Sequence, residues 1–173
     1  MHPIRTAREE DLPGITAIYN QAIATRQATA DLSPVSVEQR RQWLARHAPD
    51  RHPVFVATED GEVTGYSSLS QYREGREALR GTAEISYYVH SGHQNRGIGS
   101  ALIEHTMAAA VGLGFHSLFG ILLDINSDSV RILEKYGFER WGHLPGVADL
   151  DGRICGHLYY GRQIGGPQVP DSG

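Results

Sequence analysis

Residues 89–100 are Val89-His90-Ser91-Gly92-His93-Gln94-Asn95-Arg96-Gly97-Ile98-Gly99-Ser100, and they join a strand-like segment to a helix-like one through glycines. Residues 82–89 (TAEISYYV) are rich in β-branched and aromatic side chains, whereas residues 97–111 are typical of a helix. A glycine turn of this kind points several backbone N–H groups at one place, where the helix dipole adds positive potential. The stretch therefore predicts a site for a phosphate-bearing ligand.

Two common phosphate-binding patterns do not fit this stretch. A Walker A loop needs a lysine after its second glycine, but Ser100 follows Gly99. The dinucleotide-binding pattern needs a third glycine three residues after the second, and that position is Leu102. ATP and NAD are therefore disfavoured as ligands.

On either side of this stretch, strand and helix patterns alternate without an internal repeat. Asp60-Gly61 predicts a two-residue hairpin turn between two of the strands. The predicted strands cover residues 4–6, 53–58, 62–69, 82–89, 116–123, 138–144 and 153–161. The first predicted helix begins near Asp11, and the other three cover residues 36–47, 97–111 and 127–136. This order predicts a mixed α/β domain in which β-hairpins precede a βαβ unit.

The composition suits one globular domain, with 173 residues of which 40% are apolar and 21% charged. We expect the domain to span residues 1–163 and residues 164–173 to form a flexible tail, because the end of the chain offers few apolar residues to bury. A net charge of -4 argues against nucleic acid or an anionic membrane as a partner. The sequence shows no signal-like or membrane-spanning apolar run, so a cytoplasmic location is expected.

Cysteine and lysine each occur once, as Cys155 and Lys135, which excludes an internal disulfide and most lysine-dependent chemistry. Among nine histidines, His90 and His93 have a metal-like spacing, but no carboxylate or thiol lies near them in sequence, so no metal is expected. Cys155 could act as a nucleophile with His157, which would share its strand face. A small core residue is the simpler interpretation of that cysteine.

The pattern Gln94-x-x-Gly97-x-Gly99 resembles the pyrophosphate loop of the GCN5-related N-acetyltransferases, the GNAT superfamily, which bind acetyl-CoA. A second segment, from Asn126 to Phe138, resembles the Asn-x-x-Ser and Glu-Lys-x-Gly-Phe motifs of the same family. The resemblance covers roughly residues 3–163. It implies the GNAT acyl-CoA N-acyltransferase fold, a central twisted mixed sheet flanked by helices, with acetyl-CoA as co-substrate.

Within that superfamily the chain looks most like the phosphinothricin and methionine sulfoximine acetyltransferases. The matching segments, in order, are Tyr19-Asn20, Thr29-Ala30-Asp31 with Pro34, Arg80-Gly81-Thr82-Ala83-Glu84, Trp141-Gly142-His143-Leu144-Pro145-Gly146 and Asp151-Gly152. This resemblance implies acetylation of the α-amino group of a small glutamate- or methionine-like amino acid. It also implies a homodimer.

The chemistry calls for a general base. At neutral pH an amine arrives as an ammonium ion, and it must lose a proton before it can attack a thioester. Glu84 lies on the strand that leads to the glycine loop, and the resemblance implies that its carboxylate is the base. Taken alone, Glu84 would simply be a polar residue on a strand.

The resemblance also implies the binding residues. For the cofactor these are Tyr87, Tyr88, Val89, Gln94, Asn95, Arg96, Gly97, Ile98, Gly99, Ser100, Asn126 and Ser129, the first three through backbone groups that pair with the pantetheine arm. For the substrate they are Tyr19, Asn20, Tyr72, Arg73, Arg80 and Thr82, since an arginine fork suits a carboxylate or a phosphinate. Asn126 equally suits a helix N-cap, and Tyr19 also belongs to the buried stripe of the first helix.

One position departs from the family pattern. Leu133 stands where many relatives have a tyrosine or histidine that protonates the leaving thiolate, and leucine cannot do so. Tyr136, another tyrosine or water would supply the proton, or the thiolate would leave unaided. Two other functions remain open: a non-catalytic acyl-CoA sensor on the same fold, and an enzyme acting on a protein N-terminus, a polyamine or an antibiotic.

Overall fold

The computed structural model describes residues 2–166, so residues 167–173 of the expected tail lie outside the described residues. The helices are α1 (Leu12–Thr25), α2 (Val37–Ala45), α3 (Ile98–Gly112) and α4 (Ser127–Lys135). The strands are β1 (Ile4–Thr6), β2 (Val54–Glu59), β3 (Glu62–Gln71), β4 (Thr82–Val89), β5 (Ser117–Leu123), β6 (Glu139–Leu150) and β7 (Arg153–Gln163). The predicted order of strands and helices is confirmed.

The strands form a single seven-stranded sheet in the order β1-β2-β3-β4-β5-β7-β6. Within residues 2–166, β4 and β5 pair in parallel and all other neighbouring strands are antiparallel. The α3 helix makes the crossover that a parallel pair requires. The predicted mixed sheet flanked by helices is therefore confirmed, with the βαβ unit after the hairpins.

Two groups of helices cover opposite faces of the sheet. On one face, Ile15 and Ile18 of α1 pack with Val56 and Tyr66 of the neighbouring strands β2 and β3. On the other face, α3 and α4 bury their apolar residues against β3, β4 and β5, in a cluster that includes Leu118 and Leu133. The strands in the middle of the sheet thus alternate between two cores, and β5 (SLFGILL) is accordingly apolar almost throughout.

A local signal in the sequence accounts for the start of α2. Ser36 accepts a hydrogen bond from Gln39 N at 3.1 Å, and the Gln39 side chain accepts one from Ser36 N at 2.8 Å, which forms a capping box. The helix is shorter than the predicted 36–47 and ends at Ala45. His47 therefore lies just past the helix, where it reaches the sheet.

The strand predicted for residues 138–144 is much longer in the structure, and this boundary was wrong. β6 runs from Glu139 to Leu150 and turns into β7 through Asp151-Gly152, both with positive φ. Pro145 and Gly146 normally interrupt a strand, but here the register shifts between Leu144 and Ala148 and pairing then resumes. Because β6 is the edge strand of the sheet, a proline in it removes no hydrogen bond on its outer side.

Candidate active site

The strands β4 and β5 separate after Glu84, and the opening between them forms a cleft. β3 pairs with β4 from Ala83 to Val89, whereas β5 pairs with it only from Thr82 to Glu84. Within residues 2–166, the β5-facing edge of β4 beyond Glu84 has no strand partner. The cleft is lined by Ala28, Ile85, Ser86, Tyr87, Tyr88, Gly120, Ile121, Leu122, Asn126, Ser129 and Leu133.

The glycine loop enters α3 at the end of β4, as its sequence predicts. Asn95 (φ 60°) and Gly97 (φ 82°) both have left-handed backbone conformations, which curve the chain so that consecutive N–H groups converge. The first amide of the helix that has a backbone partner is Ala101, whose N–H donates to Gly97 O at 3.0 Å. The preceding amides of the first turn are therefore available to an anion at the positive end of a 15-residue helix.

Side chains anchor this loop to the neighbouring strand. Arg96 Nη2 donates to Glu59 Oε1 at 2.7 Å, and Glu59 Oε2 lies 3.4 Å from His93 Nε2. The Arg96 guanidinium holds the pKa of the Glu59 carboxyl below its usual range. Arg96 is thus committed to Glu59, and its contribution to a bound anion would come from its backbone.

The start of α4 closes the other side of the cleft. Asn126 caps the helix by accepting a hydrogen bond from Ser129 N at 3.2 Å, so the helix-cap interpretation of this residue holds. The Tyr87 hydroxyl lies 3.5 Å from Ser129 O, and burial raises the pKa of Tyr87 to about 12. The structure therefore brings three of the predicted cofactor residues together in one wall.

Glu84 lies on the sheet face that α1 and α2 cover, next to the point where the two strands separate. Its neighbours in the sheet are Ser70 on β3 and Phe119 on β5. Burial raises the pKa of the Glu84 carboxyl, and among the described residues no hydrogen bond or charge offsets that effect. Such a carboxyl is suited to accept a proton from a substrate.

A group of aromatic rings lies on one side of Glu84, and most of these residues were not predicted from the sequence. Phe119 contacts Tyr72 at 5.0 Å and Trp141 at 5.2 Å between ring centroids, and Tyr159 at 6.2 Å. Tyr72 was a predicted substrate residue, whereas Phe119, Trp141 and Tyr159 were not. The sequence signals for them were weak: aromatic residues on strands far apart in the chain and, for Trp141, its place in one of the segments that carry the resemblance.

On the other side of Glu84, Tyr19 packs edge-on against Tyr88, with ring centroids 5.3 Å apart. The Tyr19 hydroxyl hydrogen-bonds Asp31 and lies 3.1 Å from Thr29 Oγ1, and burial with that hydrogen bond to Asp31 raises its pKa to about 12. Tyr19 therefore joins α1 to the loop after it and also contacts the cleft strand.

Asn20 is already committed to that same loop. Its amide donates to Val35 O at 3.0 Å and accepts from Val35 N at 2.8 Å. Both polar atoms of the side chain thus have partners in the protein, which makes Asn20 a brace for the loop.

The three remaining predicted substrate residues lie in different surroundings. Arg73 is exposed on the loop between β3 and β4, with a left-handed backbone (φ 56°), and Thr82 is buried. Arg80 lies in a separate open groove with Arg51 and His116, and its carbonyl accepts from Arg51 Nη2 at 3.0 Å. The structure therefore does not gather these residues into one arginine fork.

Two predicted sources of chemistry lie away from the cleft. The Tyr136 hydroxyl donates to Glu104 at 2.7 Å on the exposed side of α3 and α4. Cys155 is buried with Leu123 and Leu150, and that burial raises the pKa of its thiol. A thiol that is inaccessible and resists ionisation is a poor nucleophile. Leu133, in contrast, does line the cleft, 1% exposed.

Within residues 2–166 no three histidine, cysteine, aspartate or glutamate side chains form a group that could hold a metal ion. In the same part of the chain, no helix combines the length and the apolar character needed to cross a bilayer.

Comparisons with known proteins agree with this geometry. A family model described as the acetyltransferase (GNAT) family matches residues 16–138. The chain is 37% identical to the Bacillus subtilis protein YwnH over 93% of this chain and 98% of the relative. It is 35% identical to an L-methionine sulfoximine/L-methionine sulfone acetyltransferase of Pseudomonas aeruginosa over 87% of each chain.

A solved structure extends the similarity to the whole fold. It is that of a GNAT superfamily phosphinothricin acetyltransferase from Sinorhizobium meliloti in complex with AcCoA, which superimposes with a TM-score of 0.90 at 26% identity, covering 99% of this chain and 97% of that one. The sheet that opens after Glu84, the glycine loop at the start of α3, the family model and these relatives lead to one conclusion: the chain belongs to the GNAT family of acetyltransferases.

Proposed function

We propose that this enzyme transfers an acetyl group from acetyl-CoA directly to the α-amino group of a small amino acid of the phosphinothricin or methionine sulfoximine type, with Glu84 as general base. The observation that carries the proposal is the half-buried Glu84 carboxyl beside the cleft between β4 and β5, which has no hydrogen-bonding or charged partner among the described residues. The names of the relatives support the class of acceptor.

The residues of the cleft fit acetyl-CoA. The convergent amides at the start of α3 suit a pyrophosphate, and a Cβ added at Gly97 would meet nothing within 4 Å, so backbone and ligand can approach closely there. The unpaired edge of β4 at Tyr87, Tyr88 and Val89 suits an extended amide-bearing arm, which would add to the sheet as a short strand. Acetyl-CoA supplies the activated acyl carbonyl of a thioester.

The protein's own contribution to the reaction is positioning and proton transfer. Glu84 accepts a proton from the acceptor's ammonium group, which frees the nitrogen lone pair for attack. Backbone amides near the end of β4 orient the thioester carbonyl. Direct transfer is favoured over a covalent enzyme intermediate because Cys155 is buried away from the cleft.

The leaving sulfur needs no strong acid. The pKa of a thiol is about 8.5, so a thiolate is a tolerable leaving group near neutral pH. Tyr87 lines the cleft together with Leu133, and with a pKa of about 12 its hydroxyl stays protonated. It can donate a hydrogen bond to the sulfur, while solvent supplies the proton.

The test is a thiol-release assay of the purified protein with acetyl-CoA and a panel of amines. We expect turnover with L-methionine sulfone, L-methionine sulfoximine and phosphinothricin, and none with polyamines, aminoglycosides or peptides with a free N-terminus. Acetyl-CoA binding without thiol release from any amine would instead identify a sensor, and turnover only with peptides would identify a protein acetyltransferase.

A homodimer is also proposed, with the exposed side of β6 and β7 as the contact surface. Trp141, Leu144, Val147 and Ile154 lie on this outer hairpin and are each 41–61% exposed. β6 is an edge strand, and an exposed apolar patch on it is typical of a protein–protein contact surface. A cytoplasmic location is proposed separately, since the free thiol of Cys155 needs no oxidising compartment.

The dimer is checked by light scattering coupled to size-exclusion chromatography. We expect a dimer for the unaltered protein and a monomer for the double variant Val147→Glu/Ile154→Glu, because burying two added charges opposes association. Val111→Glu is the matched control, since Val111 is also exposed, at 49%, but lies on α3. If the unaltered protein were a monomer even at about 100 times the protein concentration of the thiol-release assay, the proposal would be contradicted.

A further inference from the structure

We propose that Ser70 and Glu84 together bind the ammonium group of the acceptor, and that His47 is a positioning residue that sets the direction of the Ser70 hydroxyl. This inference rests on the proposed function, because it concerns the same acceptor amine. Neither His47 nor Ser70 belongs to the motifs that carry the family resemblance.

Ser70 and Glu84 lie side by side on the sheet. They are direct partners in the antiparallel register of β3 and β4, in an unbroken run of seven pairs from Gly65↔Val89 to Gln71↔Ala83. Residues directly opposite each other point to the same face, with Cβ atoms about 4.5–5.5 Å apart. The serine hydroxyl is therefore next to the proposed base.

His47 contacts Ser70 from above this face. Its Nε2 lies 3.1 Å from Ser70 Oγ, and its Nδ1 lies 2.8 Å from the carbonyl oxygen of Trp43. The Trp43 ring also packs on the imidazole, with centroids 4.4 Å apart. The ring is thus held on three sides, and its orientation is set by α2.

These contacts determine the tautomer of His47. A backbone carbonyl only accepts, so Nδ1 carries the proton, and in the neutral ring Nε2 must then accept from the Ser70 hydroxyl. Burial, with Arg40 and Arg46 nearby, lowers the pKa of His47, so the ring is neutral at physiological pH. The other titratable groups around it are His52, on the loop after α2, and Glu84 across the strand pair.

The consequence is chemical. With its hydrogen committed to His47, Ser70 Oγ presents only lone pairs to its surroundings, as does the Glu84 carboxylate. Two adjacent acceptors match the N–H donors of a primary ammonium ion. One N–H bond breaks as Glu84 takes that proton and becomes a neutral carboxylic acid. The resulting amine keeps a hydrogen bond to Ser70, with its lone pair free.

The test is steady-state kinetics with acetyl-CoA and L-methionine sulfone on Ser70→Ala, His47→Leu and the double variant. We expect the KM for the acceptor to rise about tenfold in each single variant, because a hydrogen bond to a charged group is lost. The double variant should be no worse than Ser70→Ala, since the two residues act as one unit. The KM for acetyl-CoA should stay unchanged.

Two further variants separate positioning from folding. His47→Gln keeps an acceptor for the serine hydroxyl and should recover most of the affinity for the acceptor. His52→Leu makes the same chemical change as His47→Leu at a histidine that stacks on Phe115 at 5.6 Å, and it should leave both KM values unchanged. An unchanged acceptor KM in Ser70→Ala, or equal losses for both substrates, overturns the inference.

A measurement without substrate keeps this inference distinct from the proposed function. Nitrogen-15 NMR of the imidazoles should show His47 protonated at Nδ1, with a shift of the Nε2 signal in Ser70→Ala. Protonation at Nε2 overturns the inference even if the enzyme acetylates amino acids. The absence of turnover with every amine overturns the proposed function and, with it, the role of the pair in binding an acceptor.

Discussion

Replacing Glu84 with glutamine should lower kcat by about a hundred- to ten-thousand-fold, the contribution typical of a positioned general base. Glutamine has nearly the same shape but cannot accept a proton at neutral pH. The dissociation constant for acetyl-CoA should stay the same, because the proposed pyrophosphate contacts come from the glycine loop. The measurement is turnover with L-methionine sulfone beside a calorimetric titration with acetyl-CoA.

The pH dependence provides a second signature of the same residue. Burial raises the pKa of Glu84 above its ordinary value of 4.5, so activity should rise with pH through an apparent pKa above 4.5. The rise of activity with pH should be absent from the residual activity of Glu84→Gln. A rise of activity with pH that persists unchanged in Glu84→Gln would remove Glu84 from the mechanism.

Loss of activity in this variant should not come from unfolding. Because the folded-state pKa of Glu84 is raised, its contribution to stability is present below the unfolded pKa and is lost as pH rises through the folded pKa. At neutral pH the half-buried carboxylate therefore adds no stability, and Glu84→Gln should unfold at the same or a higher temperature. Glu62→Gln, at an exposed glutamate on β3, is the matched control and should keep full activity.

Replacing Gly65 with valine should damage both stability and cofactor binding. A Cβ at Gly65 would lie 2.9 Å from Ile98 Cγ2, 3.0 Å from Leu102 Cδ1 and 3.1 Å from Tyr88 O. The missing side chain lets α3 approach the sheet directly below the glycine loop. We expect the free energy of unfolding to fall by about 1–3 kcal/mol, as for other overpacked cores.

The same substitution should weaken acetyl-CoA binding roughly tenfold, because a displaced first turn of α3 misaligns amides that each contribute a hydrogen bond to a charged group. Denaturant unfolding and calorimetric titration measure the two effects. Gly112→Ala at the far end of the same helix is the control: a Cβ there meets nothing within 4 Å, and alanine should stabilise the helix slightly. If Gly65→Val kept the wild-type free energy of unfolding and the wild-type affinity for acetyl-CoA, α3 would not pack tightly against Gly65.

The parts of the site that could be predicted from the sequence are those carried by short segments. The glycine loop is one, because the positive φ of Gly97 and the start of α3 are set by residues that are consecutive in the chain. The Asn126 cap is another. The end of β6 was missed because Pro145 and Gly146 are local signals for a break, whereas the strand continues through a bulge at the edge of the sheet.

The acceptor side of the site could not be predicted in the same way. His47 and Ser70 are 23 residues apart, and their hydrogen bond depends on where α2 ends above the sheet. Phe119 and Trp141 meet across β5, β7 and β6, and Arg80 turns into a different groove from the one expected. Each of these facts follows from strand order and register, which hydrophobic periodicity does not encode.

The sequence by itself determined the family, the order of strands and helices and the glycine turn at the start of α3, since these rest on local backbone preferences and contiguous motifs. Only the tertiary structure decided what surrounds Glu84. Three features arise from contacts between segments distant in the chain: the lack of a partner for Glu84 among residues 2–166, the separation of β4 from β5 beside it and the Ser70–His47 pair opposite it. The free energy of such contacts depends on packing, and packing exists only once the sheet has formed.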